Sequence, residues 1–193
     1  MKGNLFVISG PSGSGKSTIC KQIVKLDDQI RLSVSATTRK PREGEIDGVS
    51  YHFLSREEFN ENVEQGAFYE YAHVYENSYG TLKKPVEQMR NDGFDVILEI
   101  EMQGAKQMKQ SVPETILIFI MPPSLEELEK RLHGRNTETE AQIKMRFESA
   151  MAEISENRYY DYTVTNADLD DAVSQVLQII KDRRKAHPSI SET

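Results

Sequence analysis

Eight residues near the amino terminus have the types and spacing to hold a polyphosphate: Gly10-Pro11-Ser12-Gly13-Ser14-Gly15-Lys16-Ser17, with Thr18 next. Glycines at 10, 13 and 15 carry no Cβ, so backbone N–H groups can turn toward an anion and approach it closely. Lys16 brings a full charge to the outer phosphates, and the Ser17 hydroxyl is placed to ligate Mg²⁺. The pattern G-x-x-x-x-G-K-[ST] carries this meaning only between a strand and a helix. Here the apolar run Leu5-Phe6-Val7-Ile8 precedes it and a helical pattern follows. The helix adds its positive amino-terminal end to the cradle. The first ligand expected is therefore a nucleoside triphosphate.

The elements that must position this loop can be read in chain order. Leu5 to Ser9 lacks polar alternation, as a strand covered on both faces does. The helix after the loop is expected to reach about Leu26, with Ile19, Ile23, Val24 and Leu26 facing the core. Cys20 lies in the same register, so a packed thiol is expected there. A short strand is expected over Arg31 to Ser35, then a polar loop from Ala36 to Gly48. Tyr51 to Phe53 reads as strand, and Ser55 with Glu58 forms a capping box that opens a helix. Ala67 to Val74 is strand-like. Tyr79-Gly80-Thr81 reads as a turn into a helix from about Leu82 to Asn91. The buried-strand pattern returns at Asp95 to Glu101 and again at Ile116 to Met121. A helix over Gln103 to Gln110 separates those two strands. Ser124 and Glu127 cap the next helix. A longer one follows to about Asn157, with Ile143, Phe147, Ala150, Met151 and Ile154 on its apolar face. Tyr162 to Thr165 is the last strand and Leu169 to Arg184 the last helix.

Strands and helices alternate, which predicts an α/β fold: a P-loop NTPase three-layer sandwich around a mainly parallel sheet. Segment 35–81 breaks the βαβ rhythm and reads as an insertion that meets a second ligand. The chain of 193 residues, with 37% hydrophobic and 28% charged residues, suits one soluble domain. Its longest apolar run, Ile116 to Met121, is too short to span a bilayer. No signal-peptide pattern is visible and Cys20 is the single cysteine, so a cytoplasmic location is the expectation. A net charge of −7 argues against a nucleic-acid polymer as ligand. His52, His73, His133 and His187 form no metal spacing with Cys20 and read as structural or surface residues.

Further side chains could do chemistry. Pro41 biases Lys40 toward extended geometry. Arg39 and Arg42 then project from one side of the loop, roughly 9 Å apart at Cα. They either converge on one phosphate monoester or stay solvated. Glu99 and Glu101, two apart on a strand, are expected on one face near the strand's carboxyl end, where ligands bind in open α/β sheets. Arg131 and Arg135 share one face of a helix end. Arg131 can equally pair with Glu127 in an i,i+4 contact.

The run Ser35-x-Thr37-Thr38-Arg39-x-Pro41-Arg42-x-Gly44-Glu45-x-x-Gly48-x-x-Tyr51-x-Phe53 resembles the nucleoside-monophosphate segment of guanylate kinases. The likeness continues through Phe68-x-Glu70-x-Ala72, Tyr79-Gly80-Thr81, Leu98-Glu99-Ile100-Glu101-x-Gln103-Gly104, Pro122-Pro123-Ser124, Arg131-Leu132-x-Gly134-Arg135 and Asn166. It spans about residues 3 to 182. The resemblance implies ATP + GMP → ADP + GDP with Mg²⁺, dGMP as a further acceptor, and three regions in a single domain. These are a core (1–34, 82–123 and 158–186), a GMP-binding region (35–81) and a helical lid (about 124–157), with a tail at 187–193.

By the same resemblance Ser35, Glu70 and Thr81 meet the guanine. The chemistry agrees: a carboxylate can accept from guanine N1–H and N2–H₂ together, and adenine would leave it unpaired. Without the resemblance Glu70 reads as an exposed strand carboxylate. Arg39, Arg42, Tyr51 and Tyr79 are implied to hold the GMP phosphate. Arg131, Arg135 and Arg146 are implied to close over the ATP phosphates, and Asn166 to stand on the adenine side. Glu99 and Glu101 replace an acidic pair that often contains Asp. Each contacts the GMP sugar and base or reaches the Mg²⁺ shell through water. Asn136 stands where the family usually has Gly, and tolerates the hinge conformation better than most residues. Lys16, Arg39, Arg42, Arg135 and Arg146 form the implied catalytic set.

Two other readings compete. A kinase of the same fold could act on another phosphorylated acceptor, such as a ribose bisphosphate, but it would have no use for Ser35, Glu70 and Thr81. A catalytically inactive guanylate-kinase-like interaction module would not need an intact Gly15-Lys16-Ser17.

Overall fold

The computed structural model describes residues 2–74, 76–133 and 139–186. Five strands form a parallel sheet: β1 (Leu5–Ser9), β2 (Ile30–Leu32), β7 (Asp95–Glu99), β8 (Ile116–Met121) and β9 (Tyr162–Thr165). Their spatial order is β2-β7-β1-β8-β9. Strand β1 is central, with Val7 opposite both Leu98 and Leu117. Alternate side chains of β1 supply the two faces. Phe6 and Ile8 pack with Ile19, Cys20 and Ile23 of α1 (Lys16–Leu26) and with Val173, Val176 and Ile180 of α7 (Leu169–Ala186). Leu5 and Val7 pack the other way. They meet Val86 of α3 (Lys83–Asn91) and Ala105 and Met108 of α4 (Met102–Ser111). A strand apolar on both faces is what a covered parallel sheet requires. Burial also pushes the Cys20 thiol up, so it remains an inert packed group.

The chain between β2 and β7 forms a second sheet of four strands, in the order β4-β3-β6-β5. These are β3 (Ala36–Thr37), β4 (His52–Phe53), β5 (Phe68–Val74) and β6 (Asn77–Leu82). Helix α2 (Arg56–Glu64) starts at the expected box, with Glu58 N donating to Ser55 Oγ and Ser55 N to the Glu58 carboxylate. Its Phe59 stacks on Phe68 at 4.5 Å and anchors this small layer. Two further helices, α5 (Leu125–His133) and α6 (Glu140–Ser155), pack through Leu128, Leu132, Ile143 and Ala150.

Several sequence expectations need correction. Strand β2 stops at Leu32 rather than Ser35. Ala36–Thr37, expected as loop, forms β3 because Ala36 pairs with both His52 and Gly80. Tyr79-Gly80-Thr81 is strand and not turn, antiparallel to β5 with Glu70 opposite Thr81. Strand β7 ends at Glu99, and Glu101 instead takes the cap position of α4, so the two acids do not share one strand face. Leu26, expected in the core, is 65% exposed at the carboxyl end of α1, and Met151 is exposed on α6. Arg135, Asn136 and the tail lie outside the described residues.

Candidate active site

The loop after β1 emerges between β7 and β8 at the carboxyl ends of the strands, the usual ligand crevice of an open α/β sheet. Gly15 caps α1 in the left-handed region, with φ +93°, where a side chain would be strained. A Cβ there would also lie 2.3 Å from Asn166 Nδ2. That amide is buried and donates to Ser14 O at 2.8 Å, while Asn166 N donates to Met121 O at 2.8 Å. The end of β9 thus braces the underside of the loop.

Lys16 Nζ folds back to donate to Gly10 O at 3.0 Å and lies 4.0 Å from Glu101 Oε1. The Ser17 hydroxyl donates to Glu99 Oε1. From α6, Arg146 Nη2 donates to Ser12 Oγ. Arg131 Nε donates to Glu127 Oε1 at 3.0 Å, the helical pair foreseen in the sequence, and its Nη2 reaches Asn166 O at 3.4 Å. The structure therefore places Arg131 and Arg146 beside the loop. A cavity of about 760 Å³ lies over it, lined by Lys16, Ser17, Lys21, Ser33 and Ser35 among others.

A second cavity of about 540 Å³ opens beside the first and is lined by Ser35, Tyr51, Glu70, Tyr79, Glu99 and Glu101. Ser35, Tyr51, Glu99 and Glu101 also line the first, so the two spaces share a wall. Glu70 is 6% exposed, and its Oε1 accepts from Thr81 Oγ1 at 2.6 Å. Burial pushes its carboxyl above the usual carboxylate range, against the lowering effect of Thr81. A buried carboxylate with one hydroxyl partner has acceptor capacity left over. Tyr51 and Tyr79 meet edge to face at 6.2 Å on this wall.

Arg39 stands 5.3 Å from the Tyr51 ring centroid. Its Nη1 and Nη2 donate to the two Glu45 oxygens at 3.0 and 2.8 Å. Glu45 also accepts from Arg42 N at 2.7 Å. The Arg39 hydrogen bonds hold the Glu45 carboxyl below its ordinary range. The Arg42 side chain is exposed. Sequence reasoning assigned Glu45 nothing, although it lies six residues from Arg39 within a polar turn.

One acid on α6 also went unnoticed. Glu153 is half-buried, its Oε2 has no hydrogen-bond partner among the described residues, and burial together with the Glu101 charge pushes it up to about 7. An isolated Glu on a helix gives no sequence signal of that burial.

The oxygen donors beside the loop are Ser17, Glu99 and Glu101. They suit a hard divalent cation that keeps several waters and takes its other ligands from phosphate. Among the described residues no group of three or more His, Cys, Asp or Glu side chains could hold a metal alone.

Sheet order, loop and flanking helices define a P-loop α/β protein. A guanylate kinase family model matches residues 2–183. The chain is 54% identical to a guanylate kinase of Clostridioides difficile, over 95% of this chain and 89% of that protein. It is 47% identical to one of Rickettsia felis, over 96% and 97%. A crystal structure of guanylate kinase from Anaplasma phagocytophilum superposes with a TM-score of 0.75 at 32% identity, covering 97% of this chain and 88% of that one. The chain belongs to the guanylate kinase family.

Proposed function

We propose that this protein transfers the γ-phosphoryl group of ATP to GMP, giving ADP and GDP. The observation that carries this reading is the shared wall. A phosphate cradle and a second cavity of about 540 Å³ that holds Glu70 meet at Ser35, Tyr51, Glu99 and Glu101. ATP takes the cradle from Gly10 to Thr18, with Asn166 bracing it on the adenine side. GMP takes the second space. Its guanine faces Ser35, Glu70 and Thr81, and its phosphate faces Arg39, Arg42, Tyr51 and Tyr79. Ser17 would hold Mg²⁺, which when bound would supply positive charge to the outer phosphates. Glu99 and Glu101 stand where they reach either the acceptor nucleoside or waters around that ion.

Transfer is in line and needs no general base, because a phosphate monoester with a second pKa of about 6 is already ionised near neutral pH. The protein supplies position and charge. Lys16 leaves Gly10 O for the transferring group. Arg131, Arg135 and Arg146 come with region 124–157, which acts as a lid that excludes water. Residues 35–81 act as the acceptor region. No described helix is long and apolar enough to cross a membrane. The kinase acts in the cytoplasm and takes dGMP as a second acceptor.

Formation of ADP should be followed in a coupled assay with GMP, dGMP, AMP, UMP and no acceptor. GMP should dominate and dGMP should follow. Equal rates with AMP or UMP, or ADP release without acceptor, would overturn the proposal.

A further inference from the structure

Gly104 is the third residue of α4 and is buried. Glycine weakens a helix relative to alanine, since the unfolded chain has more freedom to lose. Its φ lies outside the left-handed region, so no backbone requirement accounts for it. Space does. A Cβ at this position would lie 2.6 Å from Glu70 Oε2, 3.1 Å from Glu70 Cδ and 3.2 Å from Ile100 Cδ1.

Glu70 has no easy retreat from such a contact. Its other oxygen is held by Thr81 Oγ1 at 2.6 Å, and its Cα is fixed by pairing opposite Thr81 across β5 and β6. The side chain is almost wholly buried. A methyl group at 104 would turn or displace the carboxylate, and two parallel acceptors must keep both distance and plane to meet two adjacent donors. The bare position also brings the acid against the first turn of α4, whose N–H groups lack intrahelical acceptors and whose end is positive.

We infer that Gly104 is a specificity-determining position for the purine acceptor: having no side chain, it lets the Glu70 carboxylate lie against α4 in the orientation that faces the guanine edge. The inference rests on the proposed reading of Glu70, and Gly104 itself is a positioning residue.

Steady-state kinetics on Gly104→Ala, Glu70→Gln, Glu70→Asp and the Gly104→Ala/Glu70→Asp pair test it, with thermal melting as the fold control. Gly104→Ala should raise KM for GMP about tenfold or more, change KM for ATP less than twofold, and narrow the preference for GMP over AMP. In the Glu70→Asp chain, where the acid is one methylene shorter, the same glycine-to-alanine change should cost clearly less, the signature of a direct contact. If Gly104→Ala folds only when Glu70→Asp is also present, that result supports the same contact. An unchanged KM for GMP, equal losses for GMP and ATP, or full additivity of the pair would each overturn the inference. An unchanged KM in Glu70→Gln would instead overturn the base-reading role of Glu70, so the two failures are distinct.

Discussion

Arg39 and Glu45 form a two-point clasp, with both terminal guanidinium nitrogens donating to the two carboxylate oxygens. Glu45 takes one edge of the guanidinium and leaves the Nε side to other partners. It also accepts from the Arg42 backbone, so one acid sets the geometry of both proposed acceptor-phosphate arginines. Glu45→Gln should therefore raise KM for GMP about five- to tenfold and leave KM for ATP unchanged. Titration of each nucleotide separately checks this. Tighter GMP binding in the variant would show that Glu45 competes with the phosphate and does not support its site.

Lys16 is the only full positive charge inside the loop, and it rests on Gly10 O. Lys16→Ala should lower kcat by about 10²- to 10³-fold, the scale of losing one preorganised charge donor at a transferring group. The fold should persist, since little beyond one hydrogen bond at the surface of the loop is lost. A single-turnover measurement with both nucleotides saturating separates chemistry from binding. A near-normal rate would remove Lys16 from the mechanism.

Asn166→Ala leaves Ser14 O without its buried donor and removes the brace under Gly15. Stability should fall by about 1–3 kcal/mol. KM for ATP should rise while KM for GMP holds. Urea denaturation paired with kinetics for both substrates tests the two halves together, and a variant that lost GMP affinity equally would contradict the local effect.

Glu153 gives a pH prediction. Its folded value of about 7 lies above the ordinary 4.5 because burial disfavours the charged form. The native state thus holds this proton more tightly than the unfolded chain does. The contribution is complete below about pH 4.5 and is lost as pH rises to about 7. Glu153→Gln escapes that loss. Its stability relative to the parent should improve by about 1–2 kcal/mol between pH 4.5 and 8, after discounting for partial exposure. Chemical denaturation at both pH values measures the difference, and a constant gap would refute the assignment.

The phosphate loop, the five core strands and most of the apolar stripe of α1 were legible because each rests on short-range patterns. Leu5 to Ser9 reads as buried strand, and Gly15-Lys16-Ser17 has a fixed meaning between strand and helix. The second sheet was less legible. Ala36–Thr37 becomes strand only through pairing with Tyr79 and Gly80, far along the chain, and Tyr79 to Thr81 through that pairing and a hairpin with Glu70 to Ala72. Tertiary pairing of this kind overrides local turn signals. Glu101 was misplaced because strand and helix cap abut there, and the alternation rule holds only while the strand lasts. The clasp at Glu45, the space at Gly104 and the burial of Glu153 depend on which groups meet in three dimensions. No spacing rule along one chain records that.

The bond from Asn166 to Ser14 spans 152 positions of sequence. During synthesis from the amino terminus, the phosphate loop leaves the ribosome early and its brace leaves late. Contacts of such separation close slowly. A nascent chain that ends before β9 therefore carries the whole nucleotide motif without the support that shapes it. A chain truncated before β9 is therefore expected to bind the triphosphate more weakly than the full chain, because the brace under Gly15 is missing.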